Sequence, residues 1–267
     1  MTRNRGVKAS ETATGLRQSY SRGFFEGHSP GVRQSARKIV PIVLHLVQPK
    51  SVIDVGCGTG TWLSVLMEYG VADVLGIDGP YVEPDMLEIP AEQFLAADLR
   101  QPFKLERQFD LALCLEVAEH LPAADSPKLM ESLVALSPII LFSAAIPFQG
   151  GVRHLNEQWP DYWAGLFRER GYLPIDCIRP RIWSHPDVAF YYAQNMILFG
   201  RRERVSLDTA LADELSQTRP SMLSLVHPSL YLKGFEPRAD TVMRLLTRTL
   251  LITGRVLRQW VRGQRRP

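Results

Sequence analysis

The stretch SVIDVGCGTG, Ser51 to Gly60, decides how this sequence is read. A short apolar strand ends on Asp54 and Val55 and passes at once into Gly56, Gly58 and Gly60. Glycines at alternate positions let the chain turn sharply and come closer to a ligand than any Cβ would permit. The following TWLSVLMEYG is patterned as a helix whose N-terminus would face that ligand. A dinucleotide fold requires G-x-G-x-x-G and a site hospitable to a pyrophosphate. Here the third glycine comes one residue early, and Asp54 places a carboxylate where a pyrophosphate would be repelled. The loop therefore suits a nucleoside ligand that carries positive charge. A branched side chain at Gly58 would occupy the ligand's space.

Working outward, the pattern alternates strand and helix. Val32 to Gln48 carries a helical stripe of Ile39, Val40, Val43, Leu44 and Val47, closed by Pro49. Ahead of it, residues 16–30 form an aromatic and glycine-rich lead-in, read either as a cover over the ligand or as a loop packed by Tyr20, Phe24 and Phe25. VADVLGID supplies a second strand ending on Asp78, where a carboxylate can accept from both hydroxyls of a ribose. FLAADL supplies a third, ending at Asp98. FDLALCL, Phe109 to Leu115, is an unbroken apolar run suited to a buried parallel strand, and Glu116, Glu119 and His120 follow at its carboxyl end. Lys128 to Leu136 reads as a helix, Ile139 to Ile146 as a fifth strand, residues 148–170 as a loop and helix, and Tyr172 to Trp183 with Ala189 to Gly200 as a closing hairpin. The expected fold is an α/β, doubly wound, Rossmann-like parallel sheet.

Composition narrows the class. With 45% hydrophobic and 22% charged residues, the 267-residue chain has the make-up of an ordinary globular protein. Residues 1–15 are polar and expected to be disordered, with neither a signal peptide nor a membrane anchor. Cys57, Cys114 and Cys177 are scattered and odd in number, which fits a reducing cytoplasm better than a disulfide framework or a cysteine zinc site. After Thr241 there are seven arginines and no acid, so a total charge of +3 leaves residues 1–240 at −4. An acidic body is a poor surface for a nucleic-acid backbone, and no nucleic-acid partner is expected. The basic end, residues 241–267, is patterned as an amphipathic helix joined to the body by a connecting segment, 203–240. Arg244, Arg248, Arg255, Arg258 and Arg262 fall within about 80° of one another at 100° per residue. Such a helix docks on protein or lies on an anionic membrane, giving peripheral membrane contact.

The ordered set Asp54-x-Gly56-x-Gly58-x-Gly60, Asp78, Asp98 and FDLALCLEVAEHLP resembles the class I S-adenosylmethionine (SAM) methyltransferases over residues 16–202. Within them, EVAEHLP is similar to the branch of ubiquinone-pathway O-methyltransferases and bacterial enzymes that tailor glycans and secondary metabolites. The resemblance implies seven strands with the last antiparallel, and methyl transfer from SAM. It also implies that Asp54, Gly56, Gly58, Gly60, Asp78, Asp98, Leu99 and Leu115 hold the cofactor, with Asp98 on the adenine amino group. The resemblance does not supply the acceptor; the leading reading is a small molecule or glycan, methylated at oxygen. An RNA or protein methyltransferase and a non-catalytic binding protein of the same fold are the alternatives.

A hydroxyl acceptor must lose a proton. His120, His154 and Glu119 are the candidate catalytic residues, while His28, His45, His185 and His227 lie away from the strand tips. If a helix starts directly after the fourth strand, Glu116, Glu119 and His120 share a face, and His154 enters from the next strand tip. These four make a candidate site for magnesium or manganese. The arrangement resembles the Glu-x-x-Glu-His plus downstream histidine of plant small-RNA 2′-O-methyltransferases, from which the chain departs at HLNEQW. A metal-free base is the competing reading.

Overall fold

The computed structural model describes residues 20–234. The expected disorder of residues 1–15 and the basic helix at 241–267 lie outside the described residues. The chain divides into two compact units, one through His227 and one from Pro228 onward.

The first unit is built on a seven-stranded sheet of order β3-β2-β1-β4-β5-β7-β6. Its strands are β1 (Ser51–Val55), β2 (Asp73–Asp78), β3 (Phe94–Ala96), β4 (Leu111–Leu115), β5 (Ile139–Ser143), β6 (Tyr172–Ile175) and β7 (Ile197–Arg201). Strands β1 to β5 pair in parallel, and β7 runs antiparallel between β5 and β6. This is the expected doubly wound sheet. Alternate residues of the central strands feed two cores on opposite faces. Val52, Leu111, Leu113 and Leu141 join one, while Ile53, Ala112, Ile140 and Phe142 join the other. Strands covered on both sides must be apolar throughout, which is why β4 and β5 read as unbroken runs.

The helices are α1 (Arg22–Val47), α2 (Thr61–Glu68), α3 (Ser126–Leu136), α4 (Pro160–Arg168), α5 (Arg179–Ile182), α6 (Phe190–Asn195), α7 (Arg202–Ser206), α8 (Thr209–Gln217) and, in the second unit, α9 (Pro228–Lys233). Several boundaries differ from the sequence reading, β5 for one ending at Ser143 rather than Ile146. Helix α1 begins ten residues earlier than expected and runs through Pro30 and Pro41. Strand β3 stops at Ala96, leaving Asp98 in a turn. Residues 179–182 and 190–195, expected as strand, are helical, so β6 and β7 form no tight hairpin. β7 instead passes inside β6 to pair with β5.

The sheet reverses its order between β1 and β4. A crevice opens at such a point outside the carboxyl ends of the strands, and both the glycine loop and the residues after β4 project there.

Candidate active site

All three loop glycines have positive φ, at 84°, 55° and 84° for Gly56, Gly58 and Gly60. The Gly56 and Cys57 amides donate to the Ile77 carbonyl at 2.7 and 3.1 Å, tying the loop to β2. Asp78 ends that strand buried, and one of its oxygens accepts from the Gly58 amide at 2.6 Å. The other accepts from the Gly79 amide at 2.6 Å and from the Tyr81 hydroxyl. Burial pushes the Asp78 carboxyl up, against the bonds from Tyr81, Gly79 and Gly58. Asp54, wholly buried beside it, is pushed up to about 7 by burial and by the Asp78 charge.

The loop is fixed from beneath by a residue that sequence reasoning missed. Glu88 accepts from Thr61 Oγ1 at 2.6 Å, from Thr59 Oγ1 at 3.1 Å and from the Arg33 guanidinium. Burial would raise its carboxyl, but these bonds outweigh it and hold the group below its usual range. Arg33 reaches down from α1, so Glu88 ties the first helix to the loop.

The lead-in residues lie over the loop. Tyr20 stacks on Tyr81 with centroids 5.0 Å apart and meets His120 edge-on at 5.9 Å. A Cβ on Gly58 would stand 3.0 Å from the Phe25 ring, so the space beside that glycine belongs to the protein's own aromatic cover. The Tyr20 hydroxyl is pushed up by burial and then by both Asp78 and Glu119. It thus stands within the electrostatic reach of both carboxylates. Of the other expected cofactor residues, Leu115 is buried at the end of β4 and Leu99 packs against the core. Asp98 is exposed, and its carboxylate is held by Arg100 at 2.7 and 2.8 Å.

After β4 no helix starts. Glu116 adopts φ 55°, and a single 3₁₀ turn, Ala118–His120, follows. Glu116 stays beside Glu119 but outside the group that Glu119, His120 and His154 form. Its oxygens accept from Asn195 Nδ2 at 3.0 Å and Gln149 Nε2 at 3.1 Å. Gln149 Oε1 accepts in turn from Asn195 at 3.0 Å and Gln194 at 3.1 Å. This buried amide cluster was not foreseen. Its only trace in the sequence is the polar pair Gln194–Asn195 set between aromatic and aliphatic residues.

Glu119, His120 and His154 do converge, with one potential ligand atom from each lying within 4.8 Å of the others. Donors about 2.0 to 2.3 Å from one ion stand at most about 4.6 Å apart, so the spacing is close to what a shared cation needs. The expected set of four becomes three, because Glu116 belongs to the amide cluster. Glu119 is fully buried, and neither of its carboxylate oxygens has a hydrogen-bond partner; nor has His120 Nδ1. Burial and the neighbouring Glu116 charge push the Glu119 carboxyl well up, while burial and His154 lower His120 to about 4. A buried ionisable group without partners is costly, and a cation would give the Glu119 carboxylate a partner beside the two imidazoles. Beneath His154, Glu157 accepts from Nδ1 at 2.8 Å, fixing the ring as a carboxylate does behind a metal-ligating histidine. The loop itself is held to the site by the Leu155 and Asn156 amides, which donate to the Glu119 carbonyl at 2.8 and 3.0 Å.

Residues 31–174, more than half the chain, match a family described as "Methyltransferase domain". The chain belongs to this methyltransferase family. Among solved structures, magnesium protoporphyrin IX methyltransferase from Synechocystis with bound SAM aligns with a TM-score of 0.52 at 18% identity, over 73% of this chain and 100% of that one. The plantazolicin methyltransferase BpumL, in complex with SAH, aligns at 0.51 and 15% identity, over 71% and 92%. The methyltransferase domain of a bacterial Hen1 protein gives 0.46 and 23%, over 62% and 98%. The first two likenesses bear out the methyltransferase fold. No curated protein matches the sequence significantly.

Proposed function

We propose that this methyltransferase family member carries a methyl group from SAM to a hydroxyl of a small-molecule or glycan acceptor, beside a divalent cation held by Glu119, His120 and His154. The observation that carries the reading is the Glu119 carboxylate, buried and unpartnered next to two imidazoles at the tip of β4. SAM brings a methyl already activated as a sulfonium, and a cation beside the acceptor would lower the hydroxyl's pKa. The remaining tasks fall to the chain's own groups. The glycine loop would admit the cofactor, Asp78 would accept from its ribose, and Asp98, whose carboxylate is paired with Arg100, would accept from its adenine amino group. Tyr20 and Phe25 exclude water over the loop. The amide cluster holds Glu116 so that the acceptor meets a fixed wall.

A second reading has one specific support. The His154–Glu157 hydrogen bond would equally orient His154 as a metal-free base. Calorimetric titration with manganese or magnesium separates the two: heat of binding that disappears in His154→Ala supports the cation, whereas no binding and undiminished turnover after exhaustive chelation overturn it. An RNA acceptor is less favoured, because residues 1–240 sum to −4.

Cofactor binding gives a further expected result. Charge-assisted hydrogen bonds contribute about 1.5 to 3 kcal/mol each, so Asp78→Ala should weaken SAM binding by about tenfold or more in titration calorimetry. Tyr81→Phe should bind SAM at least as tightly as the parent, because the Tyr81 hydroxyl holds an Asp78 oxygen that a ribose would need. Parental affinity in Asp78→Ala would remove Asp78 from the cofactor site.

A further inference from the structure

Glu116 is clamped through both its backbone and its side chain. Its amide donates to the Ser143 carbonyl at 2.9 Å and to Ser143 Oγ at 3.1 Å. Its backbone stays at φ 55°, a left-handed conformation that is costly for any residue with a Cβ. Such a conformation persists where the surroundings over-determine it. The side chain is fixed as firmly, one oxygen accepting from Asn195 and the other from Gln149.

The two donors are themselves locked. Asn195 Nδ2 gives its second N–H to Gln149 Oε1 at 3.0 Å, so both of its donors are engaged. Gln149 Oε1 also accepts from the Ile146 amide at 3.3 Å and from Gln194 Nε2 at 3.1 Å. Behind them, Gln194 Nε2 donates to Asn195 Oδ1 at 2.9 Å, and Gln194 Oε1 accepts from the His227 amide at 2.8 Å. The Gln194 carbonyl accepts from Arg179, a buried guanidinium that also donates to the Met222 and Leu223 carbonyls. The clamp on Glu116 thus runs unbroken from the site to residues 222–227, and Gln149, Gln194, Asn195 and Arg179 are all buried. Glu119, the adjacent carboxylate, has no hydrogen-bond partner at either oxygen. Of two neighbouring acids, one is saturated with donors and the other is bare.

We propose that Gln149 and Asn195 are positioning residues that act through Glu116, withholding its carboxylate from the cation that Glu119, His120 and His154 would hold. This rests on the cation reading of the site. A carboxylate beside three potential ligands is ordinarily drawn in as a fourth, and Glu116 lies close enough to Glu119 for the two charges to act on each other. To join the ion, Glu116 would have to leave two hydrogen bonds, and bonds to a charged group are among the stronger ones a protein makes. It would also strand buried N–H groups of Asn195 and Gln149 without acceptors. Glu119 gives up nothing of the kind when it turns to the ion. The consequence is one of coordination. Magnesium and manganese favour six donors in octahedral array, so three protein ligands leave about three positions for water and acceptor, where four would leave about two.

The test is calorimetric titration of the full chain with manganese, joined to a count of metal-bound water from the manganese EPR signal in isotopically labelled water; neither needs an acceptor or turnover. The parent should keep about three waters on the ion. Glu116→Gln should leave manganese affinity within about threefold of the parent's, as the loss of a neighbouring charge rather than of a ligand, while Glu119→Gln should all but remove it. Asn195→Leu, close to asparagine in size, frees one Glu116 oxygen and should tighten manganese by about tenfold with the loss of about one bound water. Adding Glu116→Gln to it should cancel that gain, which a general loosening of the fold would not do. A parent holding only about two waters, or a Glu116→Gln variant as weak as Glu119→Gln, would overturn the proposal, because Glu116 would then already be a ligand. Both of those measurements leave Asn195 in place, so they decide the matter even if Asn195→Leu fails to fold. A folded Asn195→Leu without the gain, or with a gain that survives Glu116→Gln, would overturn it too. All these failures leave the cation in place, whereas a parent that takes up no manganese removes the cation reading and this proposal with it.

Discussion

Glu119→Gln is expected to lower turnover by about 10²- to 10⁴-fold, the range over which a positioned proton-transfer or metal-held group contributes. Two further readouts need no knowledge of the acceptor. Glu119 is fully buried beside Glu116, and its oxygens have no hydrogen-bond partner. Replacing it with a neutral amide removes the burial penalty of a charge. In metal-free buffer the variant should therefore melt at or above the parent's temperature. Added manganese should raise the parent's midpoint by mass action and leave the variant's unmoved. A variant that still gains from the metal would take Glu119 out of the ligand set. One that melts well below the parent without metal would mean that the carboxylate is structural.

Gly56→Ala is expected to abolish cofactor binding and to destabilise the fold. The residue sits at φ 84°, and an added Cβ would stand 2.3 Å from Val117 Cγ2. Leaving the left-handed region unfavourable costs about 1 to 2 kcal/mol, and overpacking a close contact adds about 1 to 3 kcal/mol. Val117 cannot swing aside cheaply, being branched at Cβ and placed between Glu116 and the turn that carries Glu119 and His120. Gly70→Ala separates the two contributions, since Gly70 has φ 95° but nothing within 4 Å of an added Cβ. Denaturant unfolding should give a loss at Gly56 that exceeds the loss at Gly70 by the packing contribution. Equal losses would remove the contact with Val117 from the account.

The parts of this site legible in the sequence are those in which one residue type is required by one backbone geometry. Three glycines at positive φ, Asp78 at a strand end and the apolar run of β4 are of this kind. The carboxylate and imidazoles after β4 were also visible, but not their partition. Glu116 and Glu119 look equivalent until the backbone turns left-handed at Glu116 and sends one to the amide cluster. FYYAQN was misread for a related reason. Its aromatic residues favour strand locally, yet Glu116 and Gln149 offer buried acceptors, and a six-residue helix aims Gln194 and Asn195 at them. Helix α1 escaped at its start because Gly23, Gly27, Pro30 and Gly31 disfavour a helix locally, while Arg33, reaching from its next turns to Glu88, ties it to the glycine loop.

The inward passage of β7 also sets the order in which a nascent chain can become active. β5 exposes an unpaired edge, and β6 has no neighbour, until residues 197–201 have emerged and slotted between them. Such long-range pairing comes late in folding, because loop closure precedes its reward. Asn195, which donates to Glu116, and Gln194, which donates to Gln149, travel immediately ahead of that strand, so half of the donor pair on Glu116 arrives with the closing pairing. A ribosome-bound chain ending before residue 195 can already possess the glycine loop and Asp78, yet has a half-built acceptor wall. Completion of the amide cluster around Glu116 thus waits on completion of the sheet.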